Sequence, residues 1–393
     1  MVATIGKYVD ALYLSSSAGI LSEPSEKLLD AAKIAAQESE DDVTELAEIP
    51  GVAGGLFYMK PHGKGKYQFV LRNARFYVEV SKMGMLPTLK IQPLAQLLYE
   101  YELTAVQEMA VEITRYFSGS SDFRLVVSRV DIAVDFQAPG FEVPHMADVV
   151  SRARDRYVSY QGADANAITI GKESKSLQAQ LYNKSLELLK SDKGWMHEVW
   201  EASGYDPMLD VWRFELRFFR EGLHSFGVDG LEDFINACGD LVRYALGTGE
   251  DPGWLRICDS DTRHYSAEGH SGRRSAVQWF DTIRSYMAES LPVQGLKRLG
   301  DNCRRSWDHT VKMAGAMIAR ASAILKSCGY TEAPNPETVG RLIGQEYRER
   351  LSGDGVLGWA EKVNQLLNEK RGEVWHPTID YRIDYDPFWA VSA

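Results

Sequence analysis

Three short runs of the chain combine a regular apolar pattern with residues that could cleave a phosphodiester bond. They are SRVDIAVDF at 128–136, QAQLYNK at 178–184 and VWRFELRFF at 211–219. Successive side chains of a β-strand point to opposite faces of a sheet. As strands, the runs would each give one face to an apolar core and would place acids, arginines, glutamines, a lysine and a tyrosine on the other. A single such strand could simply face solvent, whereas the three together predict a site.

The residue types on this predicted polar face suit cleavage of a phosphodiester by a tyrosine. A phenol has a pKa of about 10 and must be activated, and a divalent metal held by carboxylates would polarise the phosphate. Residues four apart on a strand lie about 13 Å apart, so Asp131 and Asp135 cannot both bind one ion with ligand distances of about 2.1 Å. The second ligand would be Glu215 or Glu187, although Glu215 could instead pair with an arginine of its own strand.

The order and spacing of the three runs resemble the motifs of the replication initiation factor family. That family includes rolling-circle plasmid and phage-like replication initiators and the related conjugative-element relaxases. RVDIAVDF, GKESKSLQAQLYNKSLE and VWRFELRF carry the resemblance, which extends over residues 58–228. It implies a nick in one DNA strand that leaves the 5′ phosphate on a tyrosine and a free 3′ hydroxyl.

The resemblance also assigns roles within these runs. Tyr182 would be the nucleophile and Lys184 a contact to the phosphate or to the transition state. Mg²⁺ or Mn²⁺ would be the cofactor, and the candidate metal ligands are Asp131, Asp135, Glu215 and Glu187. Three other tyrosines in the same region remain alternative nucleophiles: Tyr157, Tyr160 and Tyr205.

Charge is distributed unevenly along the chain. The formal net charge is −11, and residues 1–50 are strongly acidic, whereas residues 58–92 carry many lysines and arginines and one acid, Glu79. A confined basic surface can hold a DNA backbone even in an acidic protein. The residues predicted to contact DNA are Arg129, Lys172, Gln180, Arg213, Arg217, Lys64, Lys66, Arg72 and Arg75.

Two motifs are missing from the sequence. It has no histidine-hydrophobe-histidine triplet, which disfavours the nickases with a two-histidine metal site, and no GxxxxGK[ST] loop for ATP. We therefore expect a separate helicase to unwind the DNA. The predicted partners are origin DNA of a plasmid, phage or mobile element, that helicase, and a second copy in a homodimer.

The pattern predicts an α+β fold in which an antiparallel sheet is built from two similar halves, with helices on one face and a helical C-terminal region. The expected domains are an acidic helical segment at 1–50, a nicking and DNA-binding domain at 51–246 and a mainly helical region at 247–393. The predicted helices are 22–47, 94–117, 146–160, 185–200, 231–246, 275–291, 308–327, 335–351 and 358–370. The predicted strands include a hairpin at 67–80, a short strand at 88–91 and the strands 123–136, 167–171, 178–183 and 211–220.

Three further readings of the same residues remain open, and one is a structural or phage-associated α+β protein in which all three charged strand faces meet solvent. The protein could be a relaxase that nicks a transfer origin by the same chemistry. It could also be a non-catalytic DNA-binding protein in which Tyr182 stacks on a base. No apolar run approaches the roughly 18 residues that span a bilayer, and the N-terminus lacks a basic leader, so we expect a cytoplasmic protein without a membrane partner.

Overall fold

The computed structural model describes residues 2–16, 21–82, 87–191, 193–249, 251, 253–267, 269, 274–296, 301–327, 329 and 335–351. The chain divides into two compact units, Met1–Lys297 and Arg298–Ala393. This division differs from the domain boundaries expected near residues 50 and 246. Residues 1–50 supply strands to the sheet, and residues 278–288 supply core side chains to the same unit.

An antiparallel sheet organises the first unit, which confirms the α+β prediction. Within the described residues its eleven strands run in the order β2-β3-β4-β5-β6-β1-β7-β12-β11-β10-β9. The strands are β1 Ala3–Ser16, β2 Thr44–Ala47, β3 Phe57–Met59, β4 Phe69–Arg72, β5 Phe76–Val80, β6 Leu89–Pro93, β7 Leu125–Gln137, β9 Arg156–Gln161, β10 Asp164–Ile170, β11 Leu177–Asn183 and β12 Val211–Phe219. A separate antiparallel pair joins β8 Val149–Ser151 to β13 Leu255–Ile257.

Helices connect these strands and follow them. In the first unit they are α1 Glu23–Glu38, α2 Ala95–Glu100, α3 Leu103–Ser118, α4 Lys184–Leu188, α5 Met196–Glu201, α6 Arg220–Ser225, α7 Leu231–Leu246, α8 His264–Ala267 and α9 Gln278–Ala288, with 3-10 turns at Met146–Asp148 and Ser260–Thr262. The second unit contains α10 Asp301–Ser327 and α11 Pro336–Leu351, which pack together. The helix expected at 358–370 lies outside the described residues. No helix in the described ranges is both long and apolar enough to cross a membrane.

The sheet has two halves with the same order of elements. The long strands β1 and β7 pair at its centre; β6, β5, β4 and β3 extend from β1, and β12, β11, β10 and β9 extend from β7. The strand that returns to the centre, β6 or β12, leads in each half to a 16-residue helix, α3 or α7. The two halves therefore share one strand order about the central β1–β7 pair.

The two faces of the sheet differ in chemistry. On β7, Val130, Ile132, Val134 and Phe136 are at most 4% exposed and belong to one core with side chains of α1, α3, α7 and α9. The alternate residues of the strands form the opposite face, which we call the polar face. The short helices α2, α4 and α5 cover one end of this polar face, where Trp200 and Met196 pack with Val211 in a small apolar cluster.

Several predicted elements differ in detail. Residues 146–160 were expected to be helical but form a 3-10 turn, β8 and β9, and the helix expected at 22–47 ends at Glu38 before β2. The helix expected at 94–117 is divided at Tyr101, whose backbone is extended, and the one at 185–200 is divided into α4 and α5. Strand β1 was not predicted at all, although it is central to the sheet.

Replacement of the glycine that ends α7 should destabilise the first unit more than replacement of the glycine that ends α3. Gly119 has φ 66° and ψ 12°, a left-handed cap that costs another residue about 1–2 kcal/mol. Gly247 has φ 72° and ψ −179°, and a Cβ there would lie 2.0 Å from the Asp251 carbonyl oxygen. Urea unfolding should show a loss of more than about 2 kcal/mol for Gly247→Ala and about 1 kcal/mol for Gly119→Ala. Equal losses would contradict the close approach at Gly247.

Candidate active site

An open groove with a volume of about 840 Å³ crosses the polar face of the sheet. Its lining comes from strands of both halves, from the β6–α2 connection and from the segment between α4 and α5. The lining residues with chemical functions include Asp131, Gln180, Tyr182, Lys193, Glu215 and Arg217. The groove therefore brings together side chains from the three runs identified in the sequence.

Tyr182 is placed by the end of β11. The next residue, Asn183, caps α4 by accepting a hydrogen bond from the Leu186 backbone N–H at 3.0 Å, which ends the strand just beyond the tyrosine. The Tyr182 hydroxyl donates a hydrogen bond to Glu215 Oε2 at 3.2 Å. Burial, reinforced by the negative charge of Glu215, raises the pKa of Tyr182 well above its usual value. The tyrosine is thus a neutral phenol whose proton already points at a carboxylate.

Glu215 and Asp131 form a pair of buried carboxylates next to this tyrosine. Both are 1% exposed, and Arg217 bonds to Glu215 and lies 3.6 Å from Asp131 Oδ2. Arg129 donates to Asp131 Oδ1 from Nε at 2.8 Å. Burial raises the pKa of Asp131 to about 7, and the nearby charge of Glu215 adds to the rise although the Arg129 hydrogen bond opposes it. The two acids repel each other in a poorly solvated position.

Asp135 and Arg213 are not available to a metal or to DNA. The fully buried Arg213 guanidinium donates to both carboxylate oxygens of Asp135, at 2.6 Å and 2.7 Å, and the Trp200 Nε1–H donates to the same carboxylate at 2.8 Å. A second acid, Asp10 of β1, accepts from the other side of Arg213. Asp135 as a metal ligand and Arg213 as a DNA contact are therefore corrected to members of a buried ion-pair network.

Lys184 and Glu187 also lie differently from the prediction. Lys184 is 1% exposed, bonds to Glu187 and lies 5.8 Å from the centre of the Tyr182 ring. Burial lowers its pKa. Lys184 is not among the residues that line the groove, so its predicted direct contact to phosphate is corrected to a supporting position beside the Tyr182 ring. Glu187 lines the groove, where it bonds to Lys184 and lies 3.8 Å from Lys193.

The predicted DNA-contacting residues occupy several places. Arg72, Arg129, Gln180 and Arg217 line the groove. The others lie outside it: Lys64 and Lys66 are exposed on the β3–β4 connection, Arg75 pairs with Glu100 at 2.9 Å, and Lys172 lies 4.9 Å from the centre of the Tyr157 ring.

The alternative tyrosines lie away from the Glu215 carboxylate. Tyr157 and Tyr160 are exposed on β9, where Tyr157 donates to Glu173, and Tyr205 packs against Trp200. Tyr182 alone among these four is hydrogen-bonded to an acid of the Asp131 and Glu215 pair.

Three charged or aromatic residues that line the groove were not predicted from the sequence. Asp10 is the extra residue of a β-bulge between Val9 and Ala11, which turns its side chain toward Arg213. Lys193 and Trp195 come from the segment between α4 and α5, expected to be an uninterrupted helix. The Gly194 after Lys193 was the one sequence signal of a break there.

The acids predicted to hold a metal are only partly brought together. The described residues contain no group of three or more His, Cys, Asp and Glu side chains placed to hold a metal ion. The Asp131 and Glu215 pair fits a hard divalent ion that takes few protein oxygens and completes its coordination with phosphate and water. Arg217, which now contacts both acids, would have to give way to such an ion.

No protein-family model matches this chain, and no curated protein sequence matches it. Among solved structures, the chain is similar to the rolling circle replication initiator protein from Geobacillus stearothermophilus. The two chains are 11% identical and have a TM-score of 0.38, over 75% of this chain and 98% of that chain. A likeness of this size carries no argument about function.

The raised pKa of Asp131 predicts a specific pH dependence of stability. A folded-state pKa of about 7 means that the folded protein holds this proton more tightly than the unfolded chain, so stability falls as the pH rises from about 4 to 7. The Asp131→Asn variant does not titrate there. Its melting temperature minus that of the wild type should therefore be larger at about pH 8 than at about pH 5. A smaller difference at the higher pH would show that the Arg129 ion pair outweighs burial; Asp122→Asn, at an exposed acid, is the control.

Proposed function

We propose that the protein nicks one strand of DNA by attack of Tyr182 on a backbone phosphate. The product would be a 5′ phosphotyrosine link and a free 3′ hydroxyl. The observation that carries this proposal is the hydrogen bond from the Tyr182 hydroxyl to the buried Glu215 carboxylate within an open groove flanked by arginines. A nucleophile in contact with a base is the arrangement that covalent catalysis needs.

Glu215 would accept the phenol proton as Tyr182 attacks phosphorus. Because burial raises the pKa of Tyr182, a free phenolate is scarce at neutral pH, and the proton has to leave during the attack itself. The carboxylate oxygen is already at hydrogen-bond distance. The bond from phosphorus to O3′ breaks, and O3′ takes a proton from water, which the open groove admits.

Cations in the groove would stabilise the negative charge of the transition state. Arg217 contacts both acids, and Lys193 also lines the groove. Both side chains are partly exposed, so a phosphate can reach them without unfolding of the sheet. Cations aimed at a developing charge in a site of low dielectric constant are worth more than in water.

Asp131 and Glu215 are the residues that would hold Mg²⁺ or Mn²⁺ in this site. When bound, the ion would polarise the phosphate as a Lewis acid. Glu215 would then have two roles, as a ligand through one oxygen and as the proton acceptor through the other. Its two oxygens already have separate contacts, with Arg217 and Tyr182.

The biological role that we propose is initiation of rolling-circle replication. It rests on the resemblance of the three ordered motifs to replication initiation factors, and the free 3′ hydroxyl would prime synthesis. Origin DNA would be the substrate, and a separate helicase would open the duplex. A relaxase acting at a transfer origin would use the same groove and the same chemistry.

One observation favours a second candidate function, DNA binding without cleavage. The acids of the groove are each paired with a lysine or arginine, as in a site built for stability. In that case Tyr182 would serve as a stacking surface only.

Tyr182→Phe should abolish covalent attachment of the protein to DNA. The variant keeps the ring and its packing but has no hydroxyl to attack phosphorus. Supercoiled DNA carrying the cognate origin would be incubated with protein and Mn²⁺ or Mg²⁺, and denaturing gels would show nicked circles and adducts. We expect both products with the wild type and neither with the variant.

The exposed Tyr160→Phe variant is the matched control and should nick like the wild type. An adduct formed by Tyr182→Phe would assign the nucleophile to another residue. If the wild type binds origin DNA but leaves neither nick nor adduct with either metal, the non-catalytic function replaces the proposed one.

Loss of either acid of the Asp131 and Glu215 pair should weaken Mn²⁺ binding. Electron paramagnetic resonance of free Mn²⁺ measures this without reference to activity. We expect Asp131→Asn and Glu215→Gln each to lower the affinity at least about tenfold, since even the loss of an indirect metal contact costs that much. Glu187→Gln is the matched control and should bind Mn²⁺ like the wild type. A loss confined to Glu187→Gln would place the metal on the other side of the groove.

A further inference from the structure

A row of alternating rings and polar side chains crosses the polar face from β3 to β12. The rings lie on every second strand: Tyr58 on β3, Tyr77 on β5, Tyr13 on β1 and Phe219 on β12. The strands between them contribute Arg72 on β4, Gln92 on β6 and Arg129 on β7. We call these seven side chains the ring row.

The strand register aligns this row. Arg72 pairs with Tyr58 on one side and with Tyr77 on the other, and Tyr77 pairs with Gln92. Arg129 pairs with Tyr13 and with Phe219. The members within each of these two groups are direct cross-strand neighbours on one face. Leu14 pairs with Ile91, which brings the adjacent Tyr13 and Gln92 together, so the row runs across the strands.

Cations lie over the rings. Lys64 Nζ is 5.1 Å from the centre of the Tyr77 ring, and Lys90 Nζ is 5.2 Å from the centre of the Tyr13 ring. Glu79, which is 3% exposed, holds both lysines, at 2.9 Å and 3.6 Å. One buried acid thus fixes two cations among the rings, and the surface keeps an excess of positive charge.

The spacing of the row suits a nucleic acid strand without a partner strand. Neighbouring strands are about 4.8 Å apart, so successive rings are about 10 Å apart and the whole row is about 29 Å long. Aromatic side chains bind single strands by stacking on bases while basic side chains follow the phosphates. In a duplex the bases already stack on each other, so their faces are not accessible for stacking on aromatic side chains.

We propose that the ring row binds a single strand of DNA and leads it to Tyr182. This inference rests on the proposed nicking function for the identity of its ligand. The row is continuous with the groove because Arg72, Gln92 and Arg129 line both, and because Arg129 also binds Asp131 of the acid pair. The half of the sheet without the Tyr182 site would then hold the strand that the other half cleaves.

The test measures binding of fluorescent oligothymidylate by the full chain in EDTA, so that no cleavage occurs. Oligonucleotides of about 6 and about 16 residues span the site sizes of single-strand binding proteins. The double variant Tyr58→Leu with Tyr77→Leu should bind the longer oligonucleotide more than tenfold more weakly. The double variant Tyr58→Trp with Tyr77→Phe keeps the rings and should bind like the wild type. The plot of log affinity against log salt concentration has a negative slope, and Arg72→Gln should make that slope shallower by about 0.7.

Matched controls separate the ring row from general effects. Tyr160→Leu removes an exposed ring on β9 outside the row and should leave binding unchanged. Wild-type affinity in the leucine double variant, or an equal loss in both double variants, would overturn the proposal. Tighter binding of a duplex of the same length by the wild type would also overturn it. Binding is measured here without cleavage, so the two proposals can fail separately. If binding depends on the rings but Tyr182→Phe still nicks DNA, only the assignment of Tyr182 as the nucleophile is refuted.

Discussion

The polar face depends on one buried ion-pair network centred on Arg213. This guanidinium is fully buried. It extends from β12 and forms ion pairs with Asp135 on β7 and Asp10 on β1, so it joins three neighbouring strands. Loss of Arg213 would leave the carboxylates of Asp135 and Asp10 without their cation, and breaking a buried ion pair in this way typically costs about 3–5 kcal/mol. Arg213 is also the register partner of Tyr182. The network therefore fixes the strand positions on which the nucleophile and its acceptor depend.

The short helices α2, α4 and α5 cover one end of the polar face, around Arg213, and leave the end around Arg217 open to the groove. Arg213 and Arg217 stand four residues apart on the same face of β12, and each pairs with acids. Trp200 of α5 closes over the first pair by bonding to Asp135, whereas Arg217 is partly exposed at the groove. The same pattern of charges thus forms a buried structural ion pair at one end of β12 and an accessible site at the other.

This difference also explains what the sequence could predict. Alternation in β7, β11 and β12 was enough to assign their faces, because each strand is regular where it pairs with its neighbours. The alternation could not distinguish Asp131 from Asp135, because the Trp200 hydrogen bond to Asp135 comes from α5, which is distant in sequence. Strand β1 was not predicted because three register shifts interrupt its two-residue alternation of apolar and polar side chains. Asp10 lies at one of these shifts. The helix predicted at 146–160 is wrong. Strand β9 is exposed on both faces, so its sequence lacks the alternation of apolar and polar residues that would indicate a strand.

The two halves of the sheet share a strand order but differ in the balance of charge on their polar faces. Around Tyr182 the buried acids Asp131 and Glu215 are held by arginines that remain partly exposed. Around Tyr77 a single buried acid, Glu79, holds two lysines, so positive charge is in excess. A chain with a net charge of −11 can therefore attract a phosphate backbone to one half while the other half concentrates carboxylates for chemistry. This division is compatible with one shared core, because the core side chains lie on the opposite face of the sheet from these charges.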